Sequence, residues 1–157
     1  MEQNQFTNKT IYKILIVDDV KSVCNSIRRE LTLASRNCKF SFKIVDIQDP
    51  SIGLKHAIDG NYDLLISDIK MPHLTGDKLI NEVKKVLPNL PVIVVTGFAT
   101  KENIVSVYQS DPKSIVLGKP WDNDRLLAAI EKSLNISFND EEEPEKIDDD
   151  EIFKNKF

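Results

Sequence analysis

Carboxylate, hydroxyl and ammonium side chains stand at the ends of four short apolar runs in this sequence. Asp18 and Asp19 end one run, Asp68 ends another, Thr96 ends a third and Lys119 ends the last. An ionised carboxylate is costly to bury unless cations or hydrogen bonds offset its charge. The repeated placement of such groups at the ends of apolar runs therefore indicates one shared polar site.

Three of these side chains are carboxylates, which repel one another at close range unless a cation lies between them. A hard divalent cation with oxygen ligands, Mg²⁺ first and Mn²⁺ as an alternative, would suit Asp18, Asp19 and Asp68. A carboxylate can also attack phosphorus and form an aspartyl phosphate. The Lys119 ammonium and the Thr96 hydroxyl could then stabilise the oxygens of the transferred group. The set predicts metal-assisted phosphoryl transfer to a carboxylate.

The elements that must position these groups are short runs rich in Val, Ile and Leu. Runs with little polar alternation are typical of parallel strands covered on both faces. The five runs are Lys13 to Asp18, Phe42 to Ile47, Tyr62 to Asp68, Pro91 to Thr96 and Ser114 to Lys119. Between them, apolar residues recur every three or four positions, which predicts helices. The first such stripe comprises Val20, Cys24, Ile27 and Leu31.

Strand and helix alternating five times predict an α/β fold of the flavodoxin-like type. We expect a doubly wound, five-stranded parallel sheet in the order 2-1-3-4-5, with helices on both faces. Ligands of such sheets bind beyond the carboxyl ends of the strands, where the five polar residues would meet. Side-chain oxygens that can cap helix starts are expected at Asp49, Thr75, Thr100 and Asp122.

Composition and charge narrow the class of protein. The 157 residues suit one domain plus a tail, and 41% hydrophobic with 29% charged residues is ordinary for a globular chain. No apolar run approaches a membrane span and the start lacks a signal peptide, so we expect a cytoplasmic protein without membrane contact. Residues 139–157 hold nine of the acidic side chains. The rest of the chain has no concentrated basic patch, so direct DNA binding is not expected.

The motifs around these residues resemble the receiver domain of two-component response regulators. The resemblance rests on Asp18-Asp19 after an apolar strand, Asp68 in SDIKMPHLTG, Thr96 in VVTGFAT and Lys119 in LGKPWDNDRLL, and it covers residues 11–137. It implies that Asp68 accepts a phosphoryl group from a phosphohistidine on a sensor histidine kinase or a histidine phosphotransfer protein. Thr96 and Lys119 would hold that group.

The resemblance also implies finer features of the site. The Lys70 backbone carbonyl would join Asp18, Asp19 and Asp68 as a Mg²⁺ ligand, and the bond between Lys119 and Pro120 would be cis. The Lys70 side chain should overhang the site, where it either influences the phosphorylated form or is a solvated lysine. A phosphatase-type hydrolase would carry a second acid at this position, so Lys70 argues against that class.

One position departs from the family pattern. Receivers commonly carry Tyr or Phe three residues before the lysine, and rotation of that aromatic side chain reports phosphorylation. This chain has Val116 at the position. We therefore expect the output signal to be carried by backbone movement of residues 97–100, and not by rotation of an aromatic side chain. Phe98 and Trp121 are expected to pack at loop-to-helix junctions, with a partner surface as the alternative. Tyr108 is expected to be partly buried in the stripe of the fourth helix, and it is a further candidate for the switch surface.

The expected organisation is a flexible N-terminus over residues 1–10, a receiver over 11–137, and an acidic, disordered tail over 138–157. The alternative for the tail is a docking element that uses Ile152, Phe153 and Phe157. We expect a single-domain regulator that acts on an unidentified protein target, and a sheet edge or helix face can support a homodimer. It is expected not to be an enzyme beyond promoting its own phosphorylation and dephosphorylation. The rival is an adaptor with the receiver fold that binds its partner without phosphorylation.

Overall fold

Strands and helices alternate five times, as the sequence predicts. The structure is a computed structural model, and it describes residues 8–97 and 100–143. The strands are β1 (Thr10–Val17), β2 (Phe40–Ile47), β3 (Leu64–Ser67), β4 (Val92–Thr96) and β5 (Ile115–Gly118). The helices are α1 (Lys21–Ala34), α2 (Pro50–Asp59), α3 (Gly76–Val86), α4 (Lys101–Ser110) and α5 (Asn123–Leu134). In this described part, no helix has both the length and the hydropathy to cross a bilayer.

The five strands form one parallel sheet in the order β2-β1-β3-β4-β5, which confirms the predicted flavodoxin-like topology. Ile14 and Ile16 of β1 pack towards α1 and α5, whereas Leu15 and Val17 pack towards α2, α3 and α4. None of these four side chains is more than 1% exposed. Burial on both faces explains the unbroken apolar runs, since each such side chain stabilises the fold by about 1.5–3 kcal/mol.

β1 and β2 begin earlier than the sequence predicts. The expected spans start at Lys13 and Phe42, whereas the strands start at Thr10 and Phe40 and pair with each other there. Ile11 is 64% exposed, so the start of β1 lies outside the core and lacks the apolar signal of a buried strand. Backbone pairing defines this part of the sheet.

Three of the four predicted capping residues cap their helices, and one helix start differs from the predicted apolar stripe. The side chains of Asp49, Thr100 and Asp122 accept hydrogen bonds from the first turns of α2, α4 and α5. Thr75 precedes α3, but its side chain makes no such bond within the described residues. Val20, expected in the apolar stripe of α1, is instead the residue before that helix and is 45% exposed. The buried part of the stripe is Cys24, Ile27 and Leu31.

The segment after α5 corrects the expected boundary of the tail at residue 138. Phe138 packs into an aromatic cluster at the start of β2, with ring centroids 5.7 Å from Phe40 and 6.2 Å from Phe42. The Phe138 N–H also donates to Glu131 Oε1 of α5 at 2.9 Å. This residue therefore belongs to the folded domain. A single aromatic ring among acidic residues gave too weak a signal to reveal the contact.

Residues 138–142 form a segment that we call the C-terminal strap. The Lys39 N–H donates to the Asp140 carbonyl at 3.1 Å, and the Glu142 N–H donates to the Asn37 carbonyl at 2.7 Å. Lys39 and Asp140 also form an exposed ion pair at 3.2 Å. The folded part of the chain thus reaches residue 142. The flexible N-terminus was predicted over residues 1–10, but Thr10 begins β1. Residues 1–7 and the predicted tail from 144 onwards lie outside the described residues.

An acidic residue that the sequence did not single out ties α1 to the end of β2. The Asp46 side chain is 6% exposed, and its carboxylate oxygens lie 2.5 Å from Lys21 Nζ and 2.5 Å from Arg28 Nη2. Gln48 Nε2 donates to the same carboxylate at 2.7 Å. Burial raises the pKa of Asp46, but the hydrogen bonds from Lys21, Arg28 and Gln48 outweigh burial and lower this pKa to about 2.

Candidate functional site

The carboxyl edge of the sheet brings together the five polar residues that the sequence singled out. Asp18 and Asp19 follow β1, Asp68 follows β3, Thr96 is the last residue of β4, and Lys119 follows β5. A cavity of 560 Å³ opens here, and four of these five residues line it: Asp19, Asp68, Thr96 and Lys119. This edge is where parallel α/β sheets bind ligands.

Lys119 joins two of the carboxylates. Its Nζ lies 2.8 Å from Asp18 Oδ2 and 2.8 Å from Asp68 Oδ2. Burial lowers the pKa of Lys119, but the hydrogen bonds to Asp18 and Asp68 outweigh burial and raise this pKa above its ordinary value. The side chain is therefore an ammonium ion at neutral pH. The Lys119 N–H donates to the Thr96 carbonyl at 2.8 Å, and the Lys119–Pro120 bond is cis, as the resemblance implies.

The three carboxylates form a compact set of oxygen donors. Asp18, Asp19 and Asp68 each offer an oxygen, and these oxygens lie within 4.8 Å of one another. Asp18 and Asp68 are buried, whereas Asp19 is exposed to solvent. Burial raises the pKa of Asp18, although the hydrogen bonds from Lys119 and the Val20 N–H oppose it. One ammonium does not balance three carboxylates, so the donor chemistry of this set fits a hard divalent cation such as Mg²⁺.

The loop after β3 packs tightly around the backbone of Asp68. Asp68 Oδ1 accepts from the Ile69 N–H at 2.6 Å, and Ser67 Oγ donates to the Asp68 carbonyl at 2.8 Å. The Gly76 N–H donates to the Ile69 carbonyl at 2.7 Å, and a Cβ at Gly76 would overlap the Asp68 carbonyl oxygen. Gly76 was not predicted as a site residue from the sequence. The available signal was a glycine, unfavourable inside helices, as the first residue of α3.

Lys70 stands two residues after Asp68, at the mouth of the cavity. Its side chain is exposed and lines the cavity together with Asp68 and Thr96. That the Lys70 ammonium overhangs the carboxylates stays a prediction. Its backbone carbonyl as a metal ligand stays a prediction.

The residues expected at the switch surface have different surroundings. Val116 is half-buried and packs against the apolar cluster under α2, α3 and α4, and Trp121 is half-buried against the cluster under α1 and α5. Tyr108 is 41% exposed, so part of its surface is covered by the fold, in line with its expected partial burial. α4 contacts the core through a narrow stripe in which only Val107 is buried among its described residues. Phe98 lies outside the described residues.

Solved structures share this fold. A CheY-like response regulator receiver domain protein from Methanospirillum hungatei JF-1 matches with a TM-score of 0.70 and 27% identity, covering 80% of this chain and 95% of that one. A response regulator receiver domain protein from Clostridium thermocellum matches with a TM-score of 0.66 and 27% identity, over 79% and 94% of the two chains. The match covers nearly the full length of both solved chains.

Curated relatives are longer proteins. The DNA-binding transcriptional regulator NtrC of Proteus hauseri is 31% identical over 121 residues, which is 77% of this chain and 24% of the relative. The transcriptional regulatory protein GlrR of Escherichia coli K12 is 31% identical over 124 residues, or 79% of this chain and 26% of the relative. The chain spans about a quarter of the length of these relatives.

The family model of the response regulator receiver domain matches residues 14–131, which include all five polar residues of the carboxyl edge. The match covers most of the folded part of the chain. Together with the fold, it shows that this chain belongs to the response regulator receiver domain family of two-component systems.

Proposed function

We propose that Asp68 accepts a phosphoryl group from a phosphohistidine of a sensor histidine kinase or a histidine phosphotransfer protein. The observation that carries this proposal is the position of Lys119 Nζ, 2.8 Å from both Asp68 and Asp18 at the wall of an open cavity. An ammonium already in place beside a carboxylate can neutralise charge that arrives with a phosphoryl group. Membership of the receiver family supports the choice of donor.

In this proposal an Asp68 carboxylate oxygen attacks phosphorus in line with the imidazole nitrogen that leaves. An O–P bond forms and the P–N bond breaks, and its electron pair stays on the imidazole nitrogen of the donor. The Lys119 ammonium pairs with one oxygen of the transferred group, and the Thr96 hydroxyl donates to another. Both donors are held at the ends of adjacent strands, so they need little rearrangement as charge develops.

Asp18, Asp19, Asp68 and the Lys70 backbone carbonyl would hold Mg²⁺ in this site, with Mn²⁺ as a substitute. When bound, the cation supplies positive charge that offsets the carboxylates and the phosphoryl oxygens. Asp19 is the exposed member of the carboxylate set, so it gives a cation access from solvent. Asp18 is held by Lys119 and by its own hydrogen bond from the Val20 N–H at 2.9 Å.

We further infer that phosphorylation alters protein contacts and that no separate substrate is converted. The chain would thus act as a phosphoacceptor that promotes its own phosphorylation, and not as an enzyme on other molecules. Val116, in place of an aromatic residue, is half-buried, which favours a signal carried by the backbone of residues 97–100. The same proposal includes a cytoplasmic location and an unidentified protein target. Three expectations stay predictions: that the regulator consists of this receiver alone, that it can form a homodimer, and that it does not contact DNA directly.

Intact-protein mass after incubation with acetyl phosphate tests this proposal. Wild type should gain one phosphoryl group in the presence of Mg²⁺ and none after chelation, and Asp68→Asn should gain none. Asp59→Asn, which alters an exposed carboxylate of α2, is the matched control and should behave as wild type. If wild type gains nothing from acetyl phosphate or from phosphorylated histidine phosphotransfer proteins, the phosphorylation-independent adaptor replaces the proposal.

A further inference from the structure

A second groove lies at the edge of the sheet opposite to Asp68, where β4 and β5 begin. Its cavity measures 760 Å³, against 560 Å³ for the cavity at the carboxyl edge. Its lining is an even mixture of apolar and polar surface, and its rim carries exposed lysines. The apolar wall comprises Pro88, Pro91, Val92, Tyr108, Pro112 and Ile115. We call this feature the amino-edge groove.

The polar groups on the floor of the amino-edge groove satisfy one another. Lys84 Nζ lies 3.1 Å from Asp111 Oδ2, and both side chains are largely buried. Ser114 Oγ donates to the same carboxylate oxygen at 2.8 Å. Lys84 also donates to the carbonyls of Pro88 and Leu90. The charges on the floor are therefore already paired, and a ligand would be recognised by the apolar wall and the basic rim.

The rim is basic. Lys113, in the turn before β5, and Lys132, in the last turn of α5, both line the groove and are exposed. Among residues 8–97 and 100–143, neither lysine forms an ion pair with an acidic side chain. Two lysines beside an apolar wall fit a peptide segment that combines acidic with large apolar side chains.

The chain itself supplies such a segment. Residues 148–153 read DDDEIF, with four acidic side chains followed by Ile152 and Phe153. We propose that this segment docks into the amino-edge groove of its own chain, with the acidic run against Lys113 and Lys132 and the two apolar side chains against the wall. Apolar burial would supply most of the free energy, and the charges would set the orientation.

The point at which the described chain ends makes this contact reachable. The C-terminal strap pairs with residues 37–39, directly before β2. Glu143, the next residue, therefore lies at the same edge of the sheet as the groove. Neighbouring strands lie about 4.8 Å apart, which places β5 roughly 19 Å from β2. The nine residue-to-residue steps from Glu143 to Ile152 can span about 30 Å when the chain is extended.

A tethered segment needs little intrinsic affinity. A short flexible connection gives an effective concentration on the order of millimolar, so even weak contacts populate the docked state. A segment seated in the groove would cover Tyr108, which lines it and is exposed on α4. A protein partner that binds this part of α4 would then have to displace the segment.

Paramagnetic relaxation in the full chain tests the proposal. A nitroxide at position 155 in Asn155→Cys can be attached selectively, because Cys24 and Cys38 are buried. We expect most of the amide signal to be lost at Tyr108, Lys113, Ser114 and Ile115. Lys113→Glu combined with Lys132→Glu should restore these signals, because the rim then repels the acidic run. Lys55→Glu combined with Lys78→Glu places the same charge change on exposed positions of α2 and α3 and should leave the signal loss unchanged.

Three results would overturn the proposal. The first is unaffected signals at the groove, including signal loss confined to residues 37–39, where the tail leaves the strap. The second is signal loss that persists in the Lys113→Glu, Lys132→Glu variant. The third is signal loss that occurs only when the nitroxide is on a different copy from the isotope-labelled chain, which would make a second molecule the occupant.

Discussion

Lys119 Nζ lies 2.8 Å from Asp68 Oδ2 although the strands that lead to these two residues are not neighbours. β4 runs between β3 and β5, and it ends at Thr96, which pairs with Gly118 directly before Lys119. The register of three adjacent strands therefore places the carboxylate, the hydroxyl and the ammonium. Groups held by strand pairing are positioned more rigidly than groups on loops, which suits stabilisation of developing charge.

Replacing Lys119 should slow phosphorylation strongly. In Lys119→Ala, Asp18 and Asp68 lose their shared ammonium, and an arriving phosphoryl group loses a charged partner. Removal of one preorganised donor of this kind typically lowers the rate by about 100-fold or more. The measurement is the rate of mass gain from acetyl phosphate at saturating Mg²⁺. Lys113→Ala, which removes an exposed lysine at the opposite edge, is the control, and equal rates for the two variants would refute the assigned role.

Gly76→Ala should destabilise the fold because the new Cβ would overlap the carbonyl oxygen of Asp68. Helix propensity alone favours alanine in α3, so a loss of stability isolates the steric conflict. We expect a loss of about 2 kcal/mol or more in the free energy of unfolding, measured by chemical denaturation. Gly118→Ala is the matched control, since a Cβ there meets nothing within 4 Å. Equal stabilities of the two variants would contradict the close approach of Gly76 to Asp68.

Asp46 should give a stability contribution that disappears in acid. Its folded pKa of about 2 lies below the ordinary value of 3.8, so the contribution is present at neutral pH and is lost as pH falls from about 4 towards 2. We expect about 1–2 kcal/mol, because the partners Lys21 and Arg28 are themselves partly exposed and screened.

Asp46→Asn therefore tests the network between α1 and β2. Its deficit in the free energy of unfolding relative to wild type should be largest near pH 7 and shrink towards pH 2.5, as measured by urea denaturation. Asp59→Asn alters an exposed carboxylate on α2 and should show little deficit at either pH. A deficit of Asp46→Asn that does not change with pH would show that the ion pairs contribute nothing.

Phe138→Ala should destabilise the domain although the residue lies in the region predicted as a tail. The ring is half-buried against Phe40 and Phe42, so the expected loss is about 1–2 kcal/mol, below the range for a fully buried phenylalanine. Leu33→Ala on α1 is the control, because Leu33 is 56% exposed and its loss should stay within about 0.5 kcal/mol. Equal thermal midpoints for Phe138→Ala and wild type would mean that the strap does not hold in solution.

The fold and the polar crevice could be predicted from the sequence because both follow from local patterns. Parallel strands buried on both faces require apolar runs, and Ile14, Leu15 and Ile16 show that requirement directly. Polar residues that end such runs must then meet at one edge, which is how Asp68 and Lys119 come together although 51 positions separate them. Both predictions follow from the order of apolar and polar residues, without knowledge of any distance between residues.

Other features depend on contacts that no local pattern announces. Phe138 contacts Phe40, which lies 98 positions earlier in the sequence, and the acidic residues that follow Phe138 suggested a tail. Gly76 is needed because of one carbonyl oxygen in another segment. Val107 is the one buried residue of α4 among those described, and helical spacing alone does not predict so narrow a contact with the sheet.

The most direct test of the central claim is to locate the phosphoryl group by chemistry. Wild type treated with acetyl phosphate and Mg²⁺ is reduced with borohydride, which converts an aspartyl phosphate to homoserine, and the peptides are sequenced by mass spectrometry. We predict homoserine at position 68 and nowhere else, and none when Mg²⁺ is chelated. Homoserine at position 18 or 19, or its absence from a sample that has gained phosphoryl mass, would contradict the assignment of Asp68 as the phosphoacceptor.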